Sequence, residues 1–192
     1  MRYNGLILDA DICIKIGGYK KYKFLEILLS EISEKVYMHK YVYDNEVLTP
    51  QNAKEQINKL IRDGKIEILD ENELSELDKM VYYSIIDKLK KVMVGTKEEG
   101  KNWGEVVSIS MAKVKGIPYF MSDEGSLQKI IDTNLNTGSN NDITVIRVRQ
   151  IIELIRDNPE LKIDRKTAKA IWRSTGQSNE YFDEVIWKKD LS

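Results

Sequence analysis

Apolar positions along this chain come in short compact runs separated by longer stretches at helical spacing. Residues 5–8 (GLIL) form an apolar run closed by Asp9, which predicts a buried strand. Over 19–33 (YKKYKFLEILLSEIS), Phe24, Leu25, Leu28, Leu29 and Ile32 recur at helical spacing and predict an amphipathic helix. The stretch 35–43 (KVYMHKYVY), rich in β-branched and aromatic residues, predicts a second strand. Thr49 and Pro50 have the form of an N-cap and first helical residue, opening a helix to about Arg62 that stops at Asp63-Gly64. Residues 66–69 (IEIL) predict a short strand. Residues 73–94 carry Leu74, Leu77, Met80, Val81, Ile85, Leu89 and Val92, mostly three or four apart, and predict one or two helices.

The second half repeats the alternation. Residues 95–104 are a polar loop, and a helix over 104–115 ends at Gly116. A strand over 117–121 ends at Ser122-Asp123, a short helix covers 125–132, and 133–142 (TNLNTGSNND) is loop. A strand at 143–146 is followed by helices near 147–157, 164–174 and 179–187. Strands alternating with helices predict an α/β fold with three α/β/α layers and a mostly parallel central sheet. Residues 1–150 make up the domain and 151–192 a helical C-terminal extension packed on it. In such sheets functional groups gather beyond the carboxyl ends of the strands. Asp9 follows the first strand, Asp44 and Glu46 the second, and Asp123 a later one.

Composition narrows the chemistry. A length of 192 residues suits one domain, and 42% hydrophobic residues supply a core, which excludes a wholly disordered chain. A single cysteine excludes a disulfide framework and a cysteine-rich zinc site. Cys13, between Ile12 and Ile14, has the setting of a small core residue. The one histidine, His39, sits among apolar neighbours in a strand pattern; without a second, paired-histidine acid–base chemistry and histidine-rich metal sites are excluded. No apolar run approaches ~20 residues, so no membrane span is expected. Asp9 interrupts the apolar start, so no signal peptide is expected and the expected location is cytoplasmic. A net charge of −1 exerts no general pull on nucleic acid, so such a partner must be argued from local charge.

The candidate chemistry lies in Asp9, Asp11, Glu46, Glu105, Asp123 and Glu124. Several acids at one end of a sheet repel one another unless some stay protonated or a divalent cation offsets them. Mg²⁺ and Mn²⁺ suit such oxygen donors. LILDADICI (6–14) resembles the opening of a PIN domain, where a hydrophobic strand ends in an invariant aspartate. KVYMHKYVYDNEVL (35–48) is similar to that family's middle segment, which supplies an acid after the second strand. NWGEVVSISMAKVKGIPYFMSDEGSLQKI (102–130) is similar to its second half, where an acid opens a small-residue helix and a strand delivers another aspartate. The resemblance covers roughly residues 1–150. It implies a Mg²⁺- or Mn²⁺-dependent nuclease, in most members a ribonuclease, that hydrolyses phosphodiesters with metal-activated water. Asp9, Glu46, Glu105 and Asp123 then stand at the family's four acid positions, with Asp9, Glu105, Asp123 and Asp11 as metal ligands. RNA, or single-stranded DNA, is the implied substrate. An antitoxin-like protein of a toxin–antitoxin pair and a second copy of the chain are implied partners. The carboxylates of Asp9, Glu105 and Asp123 are expected within ~4–8 Å of one another.

Each acid also has a plainer reading. Asn102 to Glu105 fits a capping box, and Asp123 or Ser122 fits a cap for the helix near Gly125. Glu124 fits a first-turn acid, and Asp44 competes with Glu46. Two other functions fit parts of the pattern. DADIC (9–13) also resembles the Asp-x-Asp opening of haloacid-dehalogenase-like phosphohydrolases, with Asp9 as nucleophile and Asp11 as general acid. A catalytically silent PIN-like binding module is the third reading. Five of the seven arginines fall after residue 146, and 147–173 holds eight basic against four acidic residues. Arg147, Arg149, Arg165 and Arg173 are therefore candidate phosphate contacts. Trp172, Trp187 and Tyr181 are candidates either for stacking bases or for packing this tail onto the core.

Overall fold

In the computed structural model, which describes residues 2–94 and 102–188, the run Leu6–Leu8 forms strand β1, buried throughout. It lies at the centre of one sheet with β2 (Val36–His39), β3 (Ile66–Leu69), β4 (Tyr119–Met121) and β5 (Thr144–Ile146). Every pairing is parallel, and the order is β3-β2-β1-β4-β5. The chain winds outward from β1 to β3, then crosses back to the other side of β1 for β4 and β5. That reversal puts the topological switch point at the carboxyl ends of β1 and β4, the place where open α/β sheets bind ligands.

Strand periodicity of two sorts side chains into two cores. Leu6 and Leu8 point into one, together with Val36, Met38, Met121 and Ile146. Ile7 points into the other with Phe120 and Val145. The first core is closed by α1 (Ala10–Gly17), α2 (Phe24–Ile32), α3 (Gln51–Arg62), α7 (Val148–Asp157) and α8 (Arg165–Ser174). The second is closed by α4 (Glu76–Met93), α5 (Trp103–Lys115) and α6 (Leu127–Asn134). The architecture is thus three-layer α/β/α, with Ile151, Ile152, Ile155, Ile171 and Trp172 of the C-terminal helices sharing a core with β1. After α8 a short helix, α9 (Asn179–Tyr181), continues as a π-helical turn over Phe182–Ile186. No helix among the described residues is long and apolar enough to cross a membrane.

Four local expectations change. Residues 10–17 are helical, although the sequence reading continued no element past Asp9; Ile12, Cys13 and Ile16 are buried along one side of this short helix. α2 begins at Phe24 rather than near 19, with exposed Tyr22 stacked on Phe24 at 5.1 Å. β2 ends at His39, and Val42–Glu46 coil into a π-helical turn instead of extending the strand. At α3, Pro50 itself occupies the cap position, so Thr49 does not. The loop expected at 95–104 lies largely outside the described residues. Gly116 ends α5 in the left-handed region at φ 66°, as its place after the helix predicts.

His39 is fully buried and structural in its contacts. Its Nδ1 accepts from the Tyr41 backbone N–H at 3.0 Å, which leaves Nε2–H to meet the Tyr82 hydroxyl at 2.9 Å. Burial pushes its pKa down to about 4, against the opposing charges of Glu71 and Asp70. A histidine that is neutral when folded and free to protonate when unfolded costs stability as pH falls from 6.5 toward 4. Linkage puts that loss at about 3 kcal/mol. Urea unfolding of the native chain beside His39→Gln is expected to show it as a steeper acid-side fall in the native protein. Parallel curves between those pH values would contradict it.

Candidate active site

Asp9 is placed by the direct succession of β1 and α1. Its backbone N–H completes the ladder to the Met121 carbonyl at 3.1 Å, and its extended dihedrals make it the cap residue of α1. Its carboxylate does not cap that helix. Instead Oδ2 accepts from the Ser122 hydroxyl at 2.9 Å, joining the ends of the paired strands β1 and β4. Ser122 is fully buried and Asp9 is only 5% exposed. Burial pushes the Asp9 pKa up to about 7, the nearby charges of Glu105 and Asp11 add to the rise, and the Ser122 bond opposes it. Asp9 is therefore poised between acid and carboxylate at neutral pH.

Glu46 reaches the same end of the sheet because the chain coils after β2. Its Oε1 accepts from the Gly104 backbone N–H at 3.1 Å. Burial raises its pKa, the charge of Asp9 adds to the rise, and the Gly104 bond opposes it. Gly104 leaves room for that carboxylate to approach the backbone. A Cβ built on it would fall 2.1 Å from Glu46 Oε2 and 2.5 Å from Oε1. Glu105, the next residue, is also raised by burial; a bond from its own backbone N–H opposes this, while Glu46, Glu124 and Asp11 push it up. Asn102 takes the left-handed conformation at φ 59° and its side chain caps nothing, bonding the Met93 carbonyl at 3.0 Å instead. The capping box expected from the sequence does not form around Asn102.

The remaining acids have other partners. Asp11 is mostly exposed and pairs with Lys15 one helical turn on, at 2.5 Å. The Lys15 ammonium is held protonated by that bond and by the charges of Asp123 and Asp9. Asp123 pairs with Arg147, whose Nε lies 3.7 Å from Oδ1 and whose Nη2 donates to the Asp123 carbonyl at 3.1 Å. Glu124 accepts from the Ser126 hydroxyl at 3.0 Å and the Ser126 N–H at 3.3 Å. Asp44 is exposed. Neither Asp123 nor Ser122 caps α6, whose cap position is Ser126. Asp9, Asp11, Glu46, Asp123 and Glu124 thus each have a protein partner. Among the described residues no three His, Cys, Asp or Glu groups converge closely enough to hold an ion as they stand.

The donor set nevertheless has the chemistry of a hard-cation site. It offers carboxylate oxygen only; the Cys13 thiol is fully buried and its pKa is pushed up by desolvation. Asp9, Glu46 and Glu105 all carry raised pKa values from burial and from one another, so a cation exchanging for their present donors would relieve a standing repulsion.

A cleft of ≈ 440 Å³ opens beside Asp123, lined by Arg147, Arg149, Glu153, Trp172 and Tyr181 among others. Arg149 pairs with Glu153 at 2.9 Å and donates to the Tyr181 hydroxyl at 2.8 Å. Arg165 and Arg173 line a different cleft with Lys166 and Lys169. There Arg165 and Lys169 both pair with Asp183. The four candidate arginines therefore divide into two pairs, and Arg147 and Arg149 are the pair that shares a cleft with Asp123. Sequence reasoning gave no role to Lys15, offered Ser122 only as an alternative helix cap, and did not connect Gly104 with Glu46. The partners of Ser122 and Gly104 lie 113 and 58 residues away, beyond the reach of local pattern. No family model matches this chain, and neither a curated protein nor a solved structure does.

Proposed function

We propose that this protein is a Mg²⁺- or Mn²⁺-dependent nuclease that hydrolyses phosphodiester bonds, with RNA as substrate. The observation that carries the reading is the buried Asp9, at the switch point of the sheet and charged against Glu105 and Asp11. Asp9, Glu46 and Glu105 would hold the cation, with Asp11 and Asp123 at its margin. The bound ion supplies a water of lowered pKa and shielding for a phosphate oxygen. The protein's own groups do the rest. The Ser122 hydroxyl fixes the orientation of Asp9, and the Gly104 amide fixes that of Glu46. Arg147, beside Asp123, offers a guanidinium fork to a phosphate entering their shared cleft.

The phosphohydrolase reading gains less support. It needs an ionised Asp9 as nucleophile with Asp11 free to protonate a leaving group. Here Asp11, the group that would protonate the leaving group, is bonded to Lys15 at 2.5 Å. Incubating the protein with labelled single-stranded RNA and Mn²⁺ tests the proposal. Cleavage that needs the metal and is lost in Asp9→Asn and Glu105→Gln is the expected result. Intact RNA under both Mg²⁺ and Mn²⁺, with no metal bound, would leave a silent binding module.

A further inference from the structure

We propose that the cleft between Arg147, Arg149 and Tyr181 is a subsite for one nucleotide of an unpaired nucleic-acid strand, with its phosphate on the two arginines and its base on the outer face of Tyr181. The proposal deepens the nuclease reading and rests on it, since it places the strand that the acids would cut. Tyr181 is built as a platform. One face is stacked on the buried Trp172, with ring centroids 6.0 Å apart and planes within 12°. Trp172 is itself fixed by its indole N–H, which donates to the Ser178 carbonyl at 2.7 Å, and the Ser178 hydroxyl accepts from the Tyr181 N–H at 3.2 Å. Arg149 bonds the phenol oxygen at 2.8 Å, and its guanidinium carbon lies over the ring at 5.8 Å from the centroid, so a base must share that side of Tyr181 with it. Tyr181 remains 37% exposed behind these contacts. A rigid aromatic face half in water suits a nucleobase and loses little entropy on binding.

The other wall supplies the phosphate end. Arg147 is half-exposed, and its only charged partner among the described residues is Asp123, at a loose 3.7 Å. A phosphate can draw that guanidinium over, which would release Asp123 toward the acids. Asp123 belongs to both places. It lines the cleft, and its charge acts together with that of Asp9 on Lys15. A strand lying on Tyr181 and Arg147 would therefore place its next phosphate on the Asp123 side of the cleft. The cleft volume of ≈ 440 Å³ lies within the ~300–1,000 Å³ of small-ligand sites. Two arginines in it are matched by Asp123 and Glu153, so net charge gives little attraction and stacking must dominate. Paired bases have no free face to offer, which selects an unpaired strand. The second arginine cleft is lined by no aromatic ring.

The test uses the full chain carrying Asp9→Asn, which keeps RNA intact, with a short fluorescent RNA in EDTA and anisotropy as readout. The single strand is expected to bind at least about tenfold tighter than the same sequence as a duplex, and Tyr181→Leu is expected to weaken it about tenfold. Tyr181→Phe keeps the ring and is expected to bind within about twofold of the parent, Arg147→Ala to weaken binding, and Lys59→Ala on α3 to change nothing. A Tyr181→Leu protein that unfolds at the parent's temperature yet binds like the parent overturns the subsite, as does equal affinity for duplex. RNA cleavage by the native chain alongside that result would overturn the subsite alone. Binding that depends on Tyr181 without cleavage under Mg²⁺ or Mn²⁺ would support the subsite and overturn the nuclease.

Discussion

Asp9→Asn is expected to stabilise the fold in neutral and alkaline buffer free of divalent cations, while abolishing metal-dependent cleavage. The two effects have one cause. Folding raises the Asp9 pKa from an ordinary 3.8 to about 7, through burial first and the Glu105 charge second. A carboxyl with a raised folded pKa contributes stability that is full below its unfolded value and is lost as pH climbs through the folded one. Between about pH 4 and pH 7 the loss accumulates to about 4 kcal/mol by linkage. Asparagine is neutral throughout, fits the same space, and can still accept from Ser122. At about pH 8 in EDTA, urea unfolding should therefore find Asp9→Asn more stable than the native chain by up to about 4 kcal/mol. Mg²⁺ should close most of that gap, because an ion bound only by the folded native protein adds about 2.7 kcal/mol at a hundred times its dissociation constant and about 4.1 kcal/mol at a thousand times. A variant less stable than the native protein in EDTA would mean that Asp9 carries no charge conflict. The slope from Asp9 runs opposite to that from His39 between pH 4 and 6.5, so each is read as variant against parent, never from the native curve alone.

Gly104→Ala is the second large effect, and it separates positioning from stability. Alanine is a better helix former than glycine by about 1 kcal/mol, and near the start of α5 that gain favours the variant. The added Cβ would sit 2.1 Å from Glu46 Oε2, so the carboxylate must move and abandon the Gly104 N–H. A hydrogen bond to a charged group is worth ~1.5–3 kcal/mol, which as lost positioning corresponds to a fall in kcat/KM of about 10- to 100-fold. Thermal unfolding should move little, since the displaced group is the tip of a half-buried side chain. Unchanged kcat/KM in a normally folded variant would remove Glu46 from the catalytic account.

The strands were legible because a parallel sheet buried on both faces needs short apolar runs, and GLIL, IEIL and ITVI are such runs. The long helices α3, α4 and α5 were legible from their spacing and from the glycines that follow α3 and α5. The helix after Asp9 was not. It spans eight residues, too few for a period to stand out, and its β-branched isoleucines argue locally for strand. Tertiary packing against α3 decides it, and Gly17 shows how close that packing is, with a Cβ there 2.9 Å from Ala53. The end of β2 is misplaced for the same reason: Val42 and Tyr43 are strand-like and extend the expected strand to 43, yet Val42–Glu46 coils and thereby delivers Glu46 to Gly104. The acids themselves were readable, as residues that follow strand ends. Their partners were not, because Ser122, Gly104 and Arg147 meet them only once the sheet has formed. The split of the arginines into two clefts was likewise invisible, since it depends on α9 folding back so that Tyr181 meets Arg149.

The proposed activity requires that carboxylates delivered by separate segments share a divalent cation. Titrating Mn²⁺ into the native chain at neutral pH, with the heat recorded by calorimetry, tests it most directly. The account predicts a saturable binding event accompanied by release of the proton that Asp9 holds, abolished in Asp9→Asn and weakened in Glu105→Gln and Glu46→Gln. Heats indistinguishable from dilution, or a binding event that Asp9→Asn leaves intact, would contradict it.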